Sequence, residues 1–85
     1  MKAIKTKYHG PTNARGSRVK ASDEDMNSIT IPWDHALDTT ENHTKAAKVL
    51  CEKMDWHGEL VMGSLKDCYM FVFVPTYKGY NKIRV

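Results

Sequence analysis

The chain has 85 residues and a mass of 9.7 kDa, which predicts a single domain over residues 1–85. Hydrophobic residues make up 41% and charged residues 27%, too apolar for a disordered chain and too polar for a membrane protein. The net charge of +3 conceals a segregation, with +6 over residues 1–20, −6 over residues 21–60 and +3 over residues 61–85. One surface is therefore expected to be basic and another acidic.

Alternation of apolar and polar residues predicts three strands in the first part of the chain. The first covers residues 2–8 and has lysines on its outer face. A loop with two glycines and a proline, residues 9–17, separates it from a second strand over residues 18–22. An acidic hairpin turn follows, and the third strand, residues 28–31, should end or lie at a sheet edge at Pro32.

A helix is predicted to begin at Asp38, because Asp38 and Glu41 have the spacing of a capping box. It should end near Met54 or Asp55. Its apolar stripe is Ala46, Ala47, Leu50, Cys51 and Met54. Trp33 and Trp56 flank this segment and are expected to pack at the two helix ends, with a role as partner anchors as the alternative.

Two more strands are predicted, over residues 59–62 and 67–74. The second is apolar on both faces, so it should be central in the sheet. A basic, aromatic tail over residues 75–85 completes the chain. The order β-β-β-α-β-β predicts an α+β fold in which one helix packs on a largely antiparallel sheet.

The sequence contains no GxSxG, HExxH, Walker A or GxGxxG motif. Its four histidines lack the close spacing of zinc ligands, and Cys51 and Cys68 are predicted to be free thiols in a reducing cytosol. No catalytic residue, metal or cofactor is therefore predicted, and we expect the protein not to be an enzyme. No apolar run has the length of a membrane span or the position of a signal peptide, which predicts a cytoplasmic protein without a membrane partner.

Five acidic residues between the second strand and the helix form a candidate partner-binding patch. They are Asp23, Glu24, Asp25, Asp34 and Asp38. Such a patch can compete with nucleic acid for a basic groove on another protein, while the same residues also suit a solubilising turn and a helix cap. Charge reversal of the three residues at the turn is expected to leave folding nearly intact.

The basic segments of the chain support an alternative, a small nucleic-acid-binding accessory protein. The candidate contacts are Lys5, Lys7, Arg15, Arg18, Lys20, Tyr77, Lys78, Tyr80, Lys82 and Arg84. In the loop over residues 13–18, the glycine lets the backbone approach an anion closely. In the tail, the interleaved tyrosines and lysines suit base stacking and phosphate contact.

Residues 42–74 combine an alanine-rich helix, a tryptophan at its end and a closing apolar strand, and residues 10–18 form a glycine- and arginine-containing loop. Together these segments resemble small uncharacterised proteins of phages and prophages, and their layout is similar to some small anti-CRISPR proteins. The resemblance implies a non-enzymatic protein of the host cytoplasm that binds a bacterial defence complex, such as a Cas effector, and blocks it by protein contact. We expect a monomer or a homodimer.

Overall fold

The protein folds into one helix and six strands within residues 2–74 and 83–85, the part of the chain that the computed structural model describes. The strands are β1 (Ala3–His9), β2 (Arg18–Ser22), β3 (Ser28–Pro32), β4 (Glu59–Ser64), β5 (Tyr69–Val74) and β6 (Ile83–Arg84), and the helix α1 is Thr39–Met54. Neighbouring strands all pair antiparallel, in the order β3-β2-β1-β5-β4-β6. The predicted α+β fold is confirmed, and β5 is central.

The sixth strand is an addition to the prediction, which treated residues 75–85 as a tail. Ile83 pairs with Leu60 and Arg84 pairs with Glu59, so β6 extends the sheet beyond β4. A strand of two residues is too short for an alternating pattern to reveal. The rest of that tail, residues 75–82, lies outside the described residues.

Local hydrogen bonds fix both ends of α1. At its start, the N–H of Glu41 donates to Oδ1 of Asp38 at 2.7 Å, and the N–H of Asp38 donates to Oε1 of Glu41 at 3.2 Å. This is the predicted capping box. At its end, Asp55 adopts a left-handed conformation with φ 58°, and its N–H reaches the carbonyls of Cys51 and Glu52. A left-handed residue closes the last turn, so the helix ends where predicted.

The core lies between α1 and one face of the sheet. Its buried members are Ile4, Val19, Ala21, Ala46, Ala47, Leu50, Cys51, Leu60 and Phe71. The predicted helix stripe is confirmed, with Met54 half-buried at its end. Trp33 and Trp56 pack against this core, as expected for residues that flank the helix. The opposite face of the sheet carries no described element, and its half on β4 and β5 is apolar and half-buried.

A buried asparagine holds the loop that precedes the helix. The side chain of Asn42 has no exposed surface, and its Oδ1 accepts from the N–H of Asp34 at 2.8 Å. Its Nδ2 donates to the carbonyls of Asp34, Leu37 and Asp38 at 2.9, 3.3 and 3.0 Å. These bonds satisfy loop backbone groups that would otherwise lose water on burial, so Asn42 ties residues 34–38 to α1.

A second buried polar pair joins α1 to β1. Nδ1 of His43 lies 2.7 Å from the hydroxyl of Thr6, and both residues are almost fully buried. The imidazole packs against the ring of Trp33 at 5.9 Å and that of Tyr69 at 4.4 Å, measured between centroids. Burial lowers the pKa of His43, since the charged imidazolium is poorly solvated there.

Stability should therefore depend on pH through His43. The folded state keeps the imidazole neutral below pH 6.5, where the unfolded chain takes up a proton, so stability present above pH 6.5 is lost as the pH falls. We expect the unfolding free energy to fall by up to about 1.4 kcal/mol per pH unit in this window. Urea titrations at pH 7.5, 6.5 and 5.5 measure it. The double variant Thr6→Val, His43→Phe should give a flatter profile, whereas an unchanged slope would contradict the assignment.

The outer edge of β3 is poorly suited to pairing with another strand. Pro32 has no N–H to offer, and Nζ of Lys53 donates to the carbonyl of Ser28 at 2.9 Å. Natural sheets use proline and lysine in this way to block edge-to-edge association. The face of the sheet opposite α1, rather than this edge, is therefore the candidate surface for a partner.

Candidate nucleic-acid interface

Strands β1 and β2 direct every second side chain away from α1, because successive strand residues point to opposite faces. On the face opposite α1 these side chains are Lys5, Lys7, His9, Arg18 and Lys20, which we call the basic face. In the sheet register Lys7 lies directly opposite Lys20, and His9 lies opposite Arg18. Within residues 2–74 and 83–85, no ion pair with a carboxylate neutralises any of the five.

The basic face contains a shallow depression of about 190 Å³. It is lined by Lys5, Lys7, His9, Lys20 and Ser22. The pKa of His9 is lowered, first by partial burial and then by the charges of Arg18, Lys7 and Lys20. A bound anion would offset this repulsion, so the depression suits a negatively charged group.

The loop between β1 and β2 is anchored at several points. The guanidinium of Arg18 donates to the carbonyls of Gly10 and Gly16, each at 3.4 Å, and the hydroxyl of Tyr8 donates to that of Ser17 at 3.1 Å. Arg15 and Thr12 form a turn in which the N–H of Arg15 donates to the carbonyl and the hydroxyl of Thr12. The N–H of Thr12 in turn donates to the carbonyl of Arg15. These contacts hold the loop beside the basic face.

A second depression, of about 380 Å³, lies where this loop meets β3. Its lining includes Arg15, Gly16, Ser17 and Arg18 from the loop side and Thr30 and Pro32 from β3. Thr30 pairs with Lys20 across β2 and β3, so this groove adjoins the basic face. Of the basic residues predicted from the sequence, the structure thus brings together Lys5, Lys7, Arg15, Arg18 and Lys20.

The remaining basic candidates do not join this surface. Arg84 is exposed on β6, three strands from β1 in the sheet, which corresponds to roughly 14 Å. Tyr77, Lys78, Tyr80 and Lys82 lie outside the described residues. Conversely, His9 and Thr30 line the two depressions and were not among the candidates. The alternation of β1 identifies His9, because it continues the series of Lys5 and Lys7.

The acidic candidates are divided between two sites. Asp23, Glu24 and Asp25 lie in the turn after β2, whereas Asp34 and Asp38 lie beyond the other end of β3. The five strand residues between these sites span roughly 16 Å, so the acidic residues do not form one patch. Asp34 pairs with Lys45 at 4.0 Å, and Asp38 caps α1.

Asp23 is a structural residue of the hairpin turn. Its Oδ1 accepts from the N–H groups of Asp25 and Asn27 at 3.0 and 2.8 Å, and its Oδ2 accepts from Nδ2 of Asn27 at 2.9 Å. Nζ of Lys2 lies 3.2 Å from the same Oδ2 and 4.3 Å from the centre of the Trp56 ring. The bonds from Asn27, followed by those from Lys2 and Asp25, hold the pKa of Asp23 below its usual value.

These hydrogen bonds argue against the expectation that reversal of all three turn residues spares folding, because Asp23 holds the turn together. Asp23→Lys would remove the acceptors of four hydrogen bonds and place a cation beside Lys2. We expect Glu24→Lys with Asp25→Lys to melt within about 3 °C of the parent, since surface changes cost little. Adding Asp23→Lys should lower the melting temperature clearly further. Thermal melts followed by circular dichroism distinguish the two, and equal melting of double and triple variants would contradict this role.

Comparison of the chain with protein-family models, with curated proteins and with solved structures finds no match. Among the described residues, no helix is both long and apolar enough to cross a membrane. The same residues contain no group of three or more His, Cys, Asp or Glu side chains arranged to hold a metal ion.

Proposed function

We propose that the protein acts without catalysis and binds nucleic acid through the basic face and the adjoining loop. The observation that carries this proposal is the cross-strand pair of Lys7 and Lys20, two like charges held directly opposite each other with no described counterion. Like charges held directly opposite each other on two strands oppose folding. A surface that carries this cost is well matched to an anionic partner.

The shape of the surface favours a polymer over a small ligand. The two depressions are shallow and lie side by side across β1, β2 and β3. A nucleic-acid backbone presents phosphates at regular intervals, so it can engage several separate cations at once. The basic face carries no Phe, Tyr or Trp side chain, which favours contact with phosphates over base stacking.

Fluorescence anisotropy with labelled single-stranded and duplex oligonucleotides tests this proposal. Over about 50–200 mM salt, the logarithm of the affinity should fall linearly with the logarithm of salt concentration. With four or five phosphates engaged, the slope should be roughly −3 to −4. Absence of binding at low salt, or binding that does not weaken with salt, would overturn the proposal.

A second candidate is inhibition of a bacterial defence complex, such as a Cas effector, by protein contact. One observation favours it: Met26 is 91% exposed at the tip of the β2–β3 hairpin, next to the exposed Glu24 and Asp25. Met26 has φ 68°, a left-handed conformation that is uncommon for a non-glycine residue. An exposed apolar side chain beside two carboxylates suits a partner with an apolar pocket and a basic rim.

A phage-targeting assay in cells with active CRISPR immunity tests this second candidate. Expression of the parent protein should restore phage growth, and Glu24→Lys with Asp25→Lys should weaken that effect while the protein stays folded. Lys48→Glu with Lys66→Glu is the control for a charge change of the same size elsewhere on the surface. Immunity unaffected by the parent protein would eliminate this candidate.

A further inference from the structure

The groove between the β1–β2 loop and β3 contains a glycine that the fold does not require. A methyl group added at Gly16 would meet no atom within 4 Å. Among the described glycines, positive φ is found at Gly58 and not at Gly16, so alanine fits the backbone conformation. The backbone at Gly16 therefore leaves space that a bound ligand can occupy.

The surroundings of Gly16 are chemically suited to an oxyanion. Arg15 and Arg18 line the groove, and Arg18 uses only its Nη1 group to hold the loop, which leaves its other N–H groups available. Within residues 2–74 and 83–85, the N–H of Gly16 has no acceptor. The hydroxyl of Thr30 adds a further donor, and no carboxylate lines the groove.

We propose that this groove is a phosphate-binding site, in which Arg15, Arg18 and Thr30 hold a phosphate group against the exposed backbone of Gly16. The phosphate site specifies how the proposed nucleic-acid binding would work, and it rests on that proposed function when the phosphate belongs to nucleic acid. A free phosphate ion offers the same chemistry. Guanidinium groups and backbone N–H groups are the donors that proteins use for phosphate, and both converge on this groove.

The test compares Gly16→Ala with Gly63→Ala. Gly63 is also free of contacts within 4 Å of an added methyl group, but it lies on β4, away from the groove, so it is a matched control. Both variants should melt as the parent does. Gly16→Ala should bind a single-stranded oligonucleotide about five- to tenfold more weakly, because the methyl group displaces a phosphate from charged donors. Gly63→Ala should bind as the parent does.

Inorganic phosphate is the second probe, added to ¹⁵N-labelled protein with sodium chloride adjusted to constant ionic strength. Saturable shifts of the Gly16 and Ser17 amides in the parent and in Gly63→Ala, but not in Gly16→Ala, would support the site. If these shifts occur although the protein binds no oligonucleotide, the site holds a free phosphate and only the nucleic-acid function fails. The site is overturned if phosphate leaves these amides unchanged and Gly16→Ala binds the oligonucleotide as tightly as the parent.

Discussion

Leu50→Ala is expected to lower the free energy of unfolding by about 2–5 kcal/mol, a large effect for the truncation of one side chain. Leu50 has no exposed surface and lies in the cluster that includes Ile4 and Phe71, where α1 meets the sheet. The truncation removes buried apolar contact and leaves a cavity that a close-packed core fills only partly. A chain of this length is expected to have about 8 kcal/mol of stability, so the loss is a large share of the total.

Urea titration of the variant measures this loss directly. Lys48→Ala provides the control, because Lys48 is exposed on the same helix and its replacement should change stability by less than about 0.5 kcal/mol. If Leu50→Ala melted within a degree or two of the parent, the packing of α1 on β1 and β2 would be contradicted.

The combined change Lys5→Ala, Lys7→Ala and Lys20→Ala is expected to weaken nucleic-acid binding about a hundredfold at 0.1 M salt. Each lost phosphate contact releases roughly one counterion fewer, so the salt slope should become shallower by about 2 to 3. The same change should leave stability equal to that of the parent or slightly higher, because it removes the repulsion between Lys7 and Lys20. Loss of binding with no loss of stability is the signature of residues retained for a partner.

The matched control removes three cations from elsewhere on the surface, Lys45, Lys48 and Lys66. It changes the net charge by the same amount, so it separates a local site from a general attraction of a basic protein to an anion. Anisotropy titrations over the same salt range give both slopes. Equal weakening by the two triple variants would show that binding follows net charge alone, and the basic face would lose its special role.

Features that depend on residues close together in the chain were predictable from the sequence. The capping box of Asp38 and Glu41 depends on a spacing of three residues, and the basic face follows from the alternation of Lys5 and Lys7 in β1. Both patterns are local, because each depends only on residues within or next to a single helix or strand. They predict where the helix begins, and they predict the part of the basic face that lies on β1.

Features that depend on distant partners were not predictable in this way. An aspartate in an acidic turn is usually solvated, yet Asp23 accepts hydrogen bonds from Lys2 and Asn27 that hold the hairpin turn. Asn42 is polar and lies beside an apolar stripe, so its complete burial follows only from the loop carbonyls that meet it. The groove at Gly16 likewise forms only because β3 lies beside the loop, and no local pattern in the sequence predicts that contact.

The most direct test of the central claim, that the basic face and its adjoining loop bind nucleic acid, is a map of backbone amide shifts. ¹⁵N-labelled protein is titrated with a short single-stranded oligonucleotide at low salt, and each amide is followed by NMR. Saturable changes should cluster on β1, β2 and residues 10–18, with little change on the outer side of α1 or at the hairpin of Glu24 and Met26. Changes confined to α1 or to that hairpin, or no saturable change anywhere, would contradict the claim.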